Sequence, residues 1–410
     1  MATVLGEPTL GLLSGTLFKN RLINGSFNIA QRGTTLGVST TGTTSNGSAV
    51  VTGIPATASV RTGMAVYSAG GQVPTGRTVL SVDSATQVTL SDGTSVLAGT
   101  DQAIVFAPAD NAYTLDRWRL LTENEAGAII NQESTTIPTG YTRAARMAVS
   151  NPNGKFGLWQ VIEGVNCRDL RGKTVTVSGQ VRIDAAETIT DVRVGIVEFT
   201  GTLDSVSGDP ISTWGAALTN PTLAASYAFL NTPAALTLSA GGYVNFSASA
   251  AVGATMNNMA VFVWCDDRTT TAGHFLYVAN VQIEVSEAAT PFEIRDINTE
   301  TVMCRRYAYS NQGSGQRYGV GFCTSTTRAR IEWVPWVPMR TTPTLTVGLA
   351  TLFVLLKNDG NVQAVTVMAI NVANSQFVEY VVDVAANLVA GDGTILTSNA
   401  ASQLLLDAEL

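Results

Sequence analysis

Apolar and polar residues alternate over residues 278–285, which is the period of a strand with one buried face. Pro291 then interrupts regular strand pairing, because proline has no N–H to donate. Asp296 follows as a good helix N-cap, and Glu300 places an acidic side chain in the first turn. The positions spaced to share one helical face are Ile297, Thr301, Cys304 and Ala308. The pattern predicts a strand and then a short helix that closes one domain and opens the next.

The same alternation recurs through the middle of the chain. Its longest run, residues 174–183, predicts a strand with an apolar face of Val175, Val177, Gly179, Val181 and Ile183. Further strands are predicted over residues 144–149, 158–163, 192–199, 234–238, 243–248, 259–265 and 275–285. Residues 205–225 are rich in Gly, Pro, Thr and Asn and predict a long loop, and such loops carry function more often than strands do.

Two other regions show short strands at regular spacing, which is typical of small sandwiches and barrels. In residues 39–108 the strands are predicted over 50–54, 62–67, 87–90 and 102–106. Residues 73–82 predict a Pro-Thr-Gly turn followed by a further strand. After the helix they are predicted over 317–323, 328–333, 344–349, 352–356, 362–372 and 377–384. Asn358, Asp359 and Gly360 form a strong hairpin-turn signal. Residues 394–410, rich in Ala, Leu and Ser, predict an edge strand or a short helix.

Composition and charge narrow the class of protein. The chain has 38 Gly and only 13% charged residues, which favours β structure punctuated by turns over long amphipathic helices. A net charge of −7 argues against nucleic acid and anionic membranes as partners. No apolar run reaches the roughly 20 residues of a membrane span, so no membrane insertion is expected. Low charge with a mean hydropathy of +0.20 suggests surface buried between subunits, as in a trimeric fibre.

Four motifs carry a resemblance to a known family. They lie in residues 22–33 (with Asn24-Gly25-Ser26-Phe27 and Gln31-Arg32-Gly33), 113–118 (Tyr113, Asp116-Arg117-Trp118), 170–183 (Leu170-Arg171-Gly172-Lys173) and 278–307. Together they resemble a jelly-roll, carbohydrate-binding-module-like domain of tail-fibre and other virion proteins of tailed bacteriophages. In that family the second motif follows closely on the first. Here residues 34–112 intervene, which predicts an inserted domain. Phe27 and Ile29 are expected on one face of a strand after the Asn24-Gly25 turn.

The predicted fold is therefore all-β: a jelly-roll β-sandwich with an inserted small β domain, followed by a C-terminal β domain. The predicted units are an N-terminal docking arm (1–20), the jelly-roll (21–38 plus 109–295), the inserted domain (39–108), a helical joint (296–310) and the C-terminal domain (311–410).

Catalytic and metal chemistry finds little support in the sequence. The one histidine, His274, excludes His-rich zinc sites, and no GxSxG, GxxxxGK[ST] or GxGxxG motif occurs. Asp266/Asp267 and Glu123/Glu125 are the closest carboxylate pairs for glycosidase chemistry, and both are expected to be solvated strand ends. The Asp-Gly steps at Asp92, Asp359 and Asp392 are explained by turns. No cofactor is expected, although the family resemblance leaves a structural Ca²⁺ open. Cys167, Cys265, Cys304 and Cys323 predict reduced, buried thiols.

Aromatic rings stack on the apolar faces of sugars, so exposed tryptophans and tyrosines are the candidate glycan-binding residues. Trp214 and Tyr227 fall in or beside the long polar loop, and Trp336 lies in a proline-rich crossover. These three are the predicted glycan site. The other candidates, Trp118, Trp159 and Trp264, fall in predicted strands and are expected in the core.

The resemblance implies a non-enzymatic structural protein of a tailed-phage virion, assembled in the host cytoplasm and forming an oligomeric tail fibre or spike, with a trimer as the favoured form. Its expected partners are other virion proteins, bound through the N-terminal arm, and host surface polysaccharide. Two alternatives stay open. One is a purely structural head-decoration, head-fibre, collar or baseplate protein without receptor binding, and the other is a glycan-degrading tailspike.

Overall fold

The computed structural model describes residues 18–184, 188–206, 208–399 and 402–410, with the side chains of 311–313 and 402 not included. Residues 1–17 of the predicted docking arm lie outside the described residues.

The described residues form 28 strands and one α-helix. The first seven strands are β1 (Thr35–Leu36), β2 (Val38–Thr44), β3 (Val50–Val51), β4 (Ala65–Ser68), β5 (Val79–Ser84), β6 (Gln87–Leu90) and β7 (Gly99–Ala107). The next twelve are β8 (Arg119–Thr122), β9 (Ala128–Glu133), β10 (Ala144–Val149), β11 (Phe156–Ile162), β12 (Thr174–Ile183), β13 (Val192–Phe199), β14 (Ile211–Thr213), β15 (Thr222–Leu223), β16 (Tyr227–Phe229), β17 (Val244–Ala251), β18 (Asn258–Cys265) and β19 (Phe275–Val285). After α1 (Ile297–Arg305) come β20 (Ala308–Gly313), β21 (Arg317–Cys323), β22 (Arg328–Trp333), β23 (Thr344–Val347), β24 (Phe353–Lys357), β25 (Val362–Asn374), β26 (Phe377–Val384), β27 (Gly393–Ser398) and β28 (Ser402–Asp407).

Two antiparallel sheets form a β-sandwich, so the prediction of an all-β sandwich fold is confirmed. One sheet has six strands in the order β1-β9-β10-β19-β12-β17, and the other has five in the order β16-β13-β18-β11-β8. Between them lies the largest apolar core of the chain, to which β12 contributes Val175, Val177 and Val181. The predicted alternation of β12 holds, since its apolar positions are buried while Ser178, Gln180 and Arg182 are partly exposed.

Strands β2 to β7 build a separate small unit. They form two three-stranded sheets, β2-β7-β4 and β3-β6-β5, around their own apolar core. The chain enters this unit at Gly37 and leaves it at Pro108, directly beside the entry point, because a Cβ at Gly37 would meet the carbonyl oxygen of Phe106 at 2.8 Å. This closeness lets the unit sit in a loop of the sandwich without separating the strands on either side.

The C-terminal region contains a closed barrel of strands β21-β22-β26-β25-β24-β27 and a three-stranded sheet, β20-β28-β23. The predicted hairpin turn at Asp359 and Gly360 joins β24 to β25 and is confirmed, with Gly360 at φ 81°. Residues 394–410 correct the sequence prediction, because they form neither an edge strand nor a helix. Strand β27 closes the barrel, and β28 is the central strand of the smaller sheet.

Three further predictions about local structure were wrong. Residues 234–238 form no strand. Phe27 and Ile29 do not share a strand face: Phe27 has φ +57° and enters the main core, whereas Ile29 joins a small cluster with Cys304 and Tyr307. On helix α1, Ile297 is exposed, and the buried residues are Glu300 and Cys304. For Ile29 and Cys304, packing between segments distant in sequence decides which side chain is buried.

A buried ionic cluster joins the sandwich to the end of the chain. Arg117 forms an ion pair with Glu409, and both side chains are at most 3% exposed. Arg32 donates from Nη2 to Asp407 at 2.8 Å and to Glu409 at 3.2 Å. Asp116 accepts from the backbone and side-chain nitrogens of Gln31 at 2.6 and 2.9 Å. We call these side chains the joint cluster: Arg32, Asp116, Arg117, Asp407 and Glu409.

The joint cluster explains why the motifs at residues 31–33 and 113–118 occur together. Neighbouring contacts extend it on both sides. The Arg117 guanidinium lies 3.6 Å from the ring centre of Tyr307, whose hydroxyl donates to Glu163 at 2.7 Å. Tyr113 donates from its hydroxyl to the backbone oxygen of Leu410 at 2.8 Å. The motif residues therefore hold the two ends of the described chain against each other.

The joint cluster should dominate the stability of the domain arrangement. We expect Glu409→Gln to lower the free energy of unfolding by about 3–5 kcal/mol, because it leaves buried guanidinium groups without their counter-charge. Urea titration followed by tryptophan fluorescence measures this change. The control is Asp383→Asn, which breaks the solvent-exposed pair with Arg328 and should have little effect. Equal losses in the two variants would contradict the role of the cluster.

Candidate functional site

A groove of about 460 Å³ runs along the outer face of the six-stranded sheet. Its floor consists of side chains from three neighbouring strands: Ser178 and Gln180 on β12, Asn245 and Ser247 on β17, and Asn280 on β19. One wall is the segment 289–292, and Tyr141 stands beside it. The outward positions of alternating strands therefore supply a floor of amides and hydroxyls.

The three amides of the floor form a directed hydrogen-bond chain. Asn280 donates from Nδ2 to Gln180 Oε1 at 2.7 Å, and Gln180 donates from Nε2 to Asn245 Oδ1 at 3.0 Å. Asn280 is only 3% exposed, and its Oδ1 atom is buried and has no hydrogen-bond partner. Burying an acceptor without a donor costs about 1–3 kcal/mol.

A β-bulge aims Asn280 into this position. Ser178 pairs with Gln282 while Gln180 pairs with Ala279, so β19 has one more residue than β12 across this step. Asn280 takes up the extra residue with a left-handed φ of 52°. Bulges re-aim side chains in this way, and they are enriched beside functional sites.

The N-terminal turn holds the bulge in place. The N–H of Val281 donates to the Gly25 carbonyl at 2.9 Å. A Cβ on Gly25 would lie 2.1 Å from the Val281 oxygen, so only glycine fits there. Asn20 adds two hydrogen bonds, donating to Val281 O and accepting from Ile283 N, both at 3.1 Å. The Asn24-Gly25 motif thus supports the groove from behind.

Buried polar side chains of β19 also fix the wall. Glu284 accepts from the backbone N–H of Thr290 at 2.9 Å, and Gln282 accepts from Glu293 N at 2.8 Å. Both side chains are at most 3% exposed, so the wall is tied to the sheet by buried bonds. Phe292 packs edge-to-face against Tyr141, with 5.9 Å between ring centres. The pair gives the groove a fixed aromatic edge.

The groove is electrically neutral, because no carboxylate, ammonium or guanidinium group lines it. Its polar groups are amides and hydroxyls, which both donate and accept hydrogen bonds. Such a surface suits a neutral molecule that carries many hydroxyls and has apolar ring faces. The lining contains no Asp, Glu, His, Lys or Cys side chain.

The structure does not bring the three predicted glycan-binding residues together. Trp214 and Tyr227 are half-buried and pack on one aromatic cluster on the outer face of the five-stranded sheet. Trp336 is 78% exposed in the C-terminal region, with the Arg305 guanidinium 5.4 Å from its ring centre. Their role in glycan binding stays a prediction. Trp118, Trp159 and Trp264 are fully buried, as expected.

The predicted loop around Trp214 is pinned from below by a buried ion pair. Lys155 lies 2.7 Å from Asp266, and both side chains are 0% exposed. Lys155 also donates to the backbone oxygens of Trp214 and Thr219 at 2.9 and 2.5 Å. Strands β14 and β15 form a small hairpin within this region, so it is more ordered than the sequence predicted.

The expectation of solvated carboxylate pairs was wrong for Asp266 and Asp267, which are 0% and 3% exposed. The cause is pairing: Asp266 binds Lys155, and Asp267 accepts from the Thr190 hydroxyl at 2.5 Å. Glu123 also forms an ion pair, with Arg268. These three carboxylates form ion pairs or hydrogen bonds that stabilise the fold.

The remaining candidates for chemistry have structural roles in the described residues. His274 accepts from the backbone N–H of Thr188 at 2.9 Å. All four cysteines are buried and unpaired. Asp92 and Asp359 cap turns by accepting from N–H groups two residues on. Among the described residues, no His, Cys, Asp or Glu side chains cluster in threes as a metal site requires. Nor does any described helix have the length and apolar character to cross a membrane.

Sequence reasoning missed the groove because it searched for tryptophans and for charged pairs. The available signal was the polar face of β12 and β19, where Gln180 and Asn280 stand at outward positions of predicted strands. The bulge that aims Asn280 into the groove depends on pairing between strands distant in the chain, so alternation alone does not reveal it.

Comparisons with known proteins extend only to the fold. No family model matches the chain, and no curated protein matches it. Among solved structures it is similar to the CBM22-1 xylan-binding domain from Paenibacillus barcinonensis Xyn10C, at 13% identity and a TM-score of 0.28, covering 44% of this chain and 92% of that one.

It is also similar to a carbohydrate-binding module of the β-sandwich superfamily, at 10% identity and a TM-score of 0.29, covering 50% of this chain and 72% of that one. A third similar structure is the enzymatically active domain of bacteriophage CBA120 tailspike protein 4, at 9% identity and a TM-score of 0.27. That match covers 42% of this chain and 19% of the tailspike chain. Similarity at this level carries no functional argument, so function has to be argued from the groove itself.

One buried carboxylate outside the groove should be visible in the pH dependence of stability. Burial raises the pKa of Asp110 from 3.8 to about 7, and Asp209 and Glu125 add to the effect. Because the unfolded chain ionises first, this residue makes the fold less stable as pH rises from about 4 to about 7. Asp110→Asn keeps an acceptor for the Thr122 N–H and should be more stabilising near pH 8 than near pH 4, as measured by urea unfolding at both values.

A matched variant should show the opposite sign. Burial alone would raise the pKa of Asp83, but hydrogen bonds from Ser81, Thr89 and Gln87 lower it. Asp83→Asn should therefore be more destabilising at neutral pH than at low pH, because the ionised form is the one that the fold favours. An Asp110→Asn effect that is the same at both pH values would contradict the raised pKa.

Proposed function

We propose that this chain is a non-enzymatic carbohydrate-binding protein whose groove on the six-stranded sheet binds an oligosaccharide. The observation that carries the proposal is the uncharged floor of amides and hydroxyls beside the aromatic edge of Tyr141 and Phe292. At the open end of the amide chain, Asn245 is exposed and accepts through Oδ1, which leaves its Nδ2 group to donate. The floor thus offers a donor there, next to the hydroxyls of Ser178 and Ser247.

Sugars fit this arrangement for two reasons. Each hydroxyl both donates and accepts, so the hydroxyls of successive sugar units can pair with the amides and hydroxyls along the floor. The edge formed by Tyr141 and Phe292 offers apolar ring surface against which the C–H face of a pyranose packs. Two strand spacings of about 4.8 Å separate Asn280 from Asn245, so the ligand is longer than one sugar unit.

The non-enzymatic part of the proposal rests on the lining. The groove contains no carboxylate pair, and glycosidase chemistry requires two such groups flanking the bond. The carboxylates that the sequence suggested for this chemistry, Glu123, Asp266 and Asp267, have partners elsewhere. Release of reducing ends from a polysaccharide that the protein binds would overturn this part of the proposal.

We further propose a place in a tailed-phage virion, as an oligomeric tail fibre or spike, trimeric in the favoured form. The support is the motif resemblance together with low charge and exposed apolar side chains on the barrel, such as Val320, Phe322, Val367 and Val372. The proposed partners are other virion proteins, bound through residues 1–20, and host surface polysaccharide. The protein would be assembled in the bacterial cytoplasm and act in the virion.

One observation favours the alternative of a purely structural virion protein without receptor binding. The first two motifs contribute Arg32, Asp116 and Arg117 to the joint cluster, and no residue of 22–33 or 113–118 lines the groove. On this reading these two motifs report how the domains are joined. Binding of glycan by the parent protein separates the two.

The proposed site is tested by glycan-array and calorimetric binding of the parent protein and of Asn280→Gly. Glycine tolerates the left-handed backbone of this position, so the variant removes the amide without straining the bulge. We expect binding to weaken about tenfold, the equivalent of one lost hydrogen bond of about 1.4 kcal/mol. Tyr141→Ala and Phe292→Ala should weaken it similarly.

Asn387→Gly is the matched control, since Asn387 also has a positive φ of 70° but lies exposed after β26. It should bind like the parent. Trp214→Ala and Trp336→Ala test the site that the sequence predicted. Loss of binding in either of these, with full binding by Asn280→Gly, would move the site away from the groove. No binding by the parent to any glycan would overturn the proposed function.

A further inference from the structure

A second cavity lies where the three parts of the chain meet. It has a volume of about 310 Å³ and is lined by residues of the β2–β7 unit, the sandwich and the C-terminal sheet. The polar side chains that matter are Arg32 and Tyr113 from the sandwich, Arg61 from the β2–β7 unit, and Asp407 from β28. The volume is at the lower end of the range of small-molecule sites, about 300 to 1,000 Å³, and such sites favour domain interfaces.

The Arg61 side chain is half-buried, and the hydrogen-bond acceptors of its guanidinium are all neutral among the described residues. It donates from Nε to Gln403 Oε1 at 2.6 Å and from Nη1 to the backbone oxygens of Ala58 and Val60 at 2.5 and 2.9 Å. No described carboxylate forms an ion pair with it, and burial lowers its pKa. A guanidinium taken out of water without a counter-charge is costly, so Arg61 is poised for an anion.

Arg32 supplies an independent second observation in the same cavity. It is 6% exposed, and its Nη1 atom has no hydrogen-bond partner. The nearest carboxylate oxygen to Nη1, Oδ1 of Asp116, is 3.6 Å away, which is beyond hydrogen-bond distance. One buried donor is therefore unsatisfied in a cavity that a second guanidinium also lines.

We infer that this cavity is a binding site for a small organic carboxylate, separate from the glycan groove. The carboxylate would lie between the guanidinium groups of Arg61 and Arg32. It would accept from Nη2 of Arg61, because Nε and Nη1 already donate to protein oxygens. Arg61 obtains its missing counter-charge in this way, and Nη1 of Arg32 obtains an acceptor.

The rest of the lining defines the body of the ligand. Leu36, Met64, Pro108 and Leu405 make most of the remaining wall apolar. A ligand with one anionic head and a compact apolar or ring-shaped body matches this division. Inorganic phosphate or sulfate would leave the apolar part of the cavity unfilled.

Asp407 is the one carboxylate that lines the cavity, and hydrogen bonds turn both of its oxygens towards the protein. Oδ2 accepts from Arg32 Nη2 at 2.8 Å, and Oδ1 accepts from the backbone N–H of Glu409 at 3.0 Å. The lining side chains carry two guanidinium groups and one carboxylate. Because Arg32 also faces Asp116 and Glu409, the guanidinium that lacks a counter-charge is that of Arg61.

The test is thermal unfolding of the full chain with benzoate and with cyclohexanecarboxylate, each compared with the neutral benzamide. A ligand that bridges the three units binds only the folded chain, so it should raise the unfolding midpoint in a saturable way. We expect both carboxylates to raise the midpoint and benzamide to leave it unchanged. An equal rise with benzamide, or no rise with either carboxylate, would overturn the inference.

Variants locate the effect. Arg61→Gln should abolish the rise, whereas Arg77→Gln, on the surface of the same unit and paired with Asp92, should leave it intact. Arg61→Lys keeps the positive charge, so it controls for the possibility that Arg61→Gln fails because it misfolds. This variant should need at least tenfold more benzoate to reach half of the rise in unfolding midpoint. Retention of the full rise by Arg61→Gln would show that the carboxylate binds elsewhere. None of these outcomes depends on whether the groove binds glycan.

Discussion

Charge burial at the joint cluster constrains the whole chain. Arg117 and Glu409 are almost fully buried, and each would be left uncompensated if the other were removed. Because Glu409 follows β28 directly, the last described strand has to return to the sandwich for the sandwich to satisfy its own arginine. The smaller sheet is therefore held against the sandwich by a contact that neither of them could make alone.

The joint and the groove are linked through the N-terminal turn. Asn24 holds Asp116 through its side-chain amide, donating to the backbone oxygen at 3.1 Å, while Gly25 receives the N–H of the bulge at Val281. One short segment thus contacts the charge cluster on one side and the groove strand on the other. The bulge keeps the Asn280 amide in the floor of the groove, where it donates to Gln180.

Alternation of apolar and polar residues predicted the long strands well. β10, β13 and β19 were predicted with the bounds that the structure gives, and β12 has the predicted buried face. Prediction failed where burial depends on distant partners. Asp266 is buried because Lys155 faces it, and β28 is central because β20 and β23 flank it. The groove was not predicted for the same reason, because Asn280, Gln180 and Asn245 come into contact only once the sheet has formed.

The groove on the six-stranded sheet, and not an exposed tryptophan, is the proposed glycan-binding site. Hydrogen–deuterium exchange of the full chain, with and without an oligosaccharide that the parent binds on the array, tests it most directly. With oligosaccharide bound, we expect slower exchange in the segments around residues 178–180, 245–247 and 289–292. The exchange rate around Trp214 and Trp336 should not change. Slower exchange confined to the hairpin at Trp214 or to the crossover at Trp336 would contradict it.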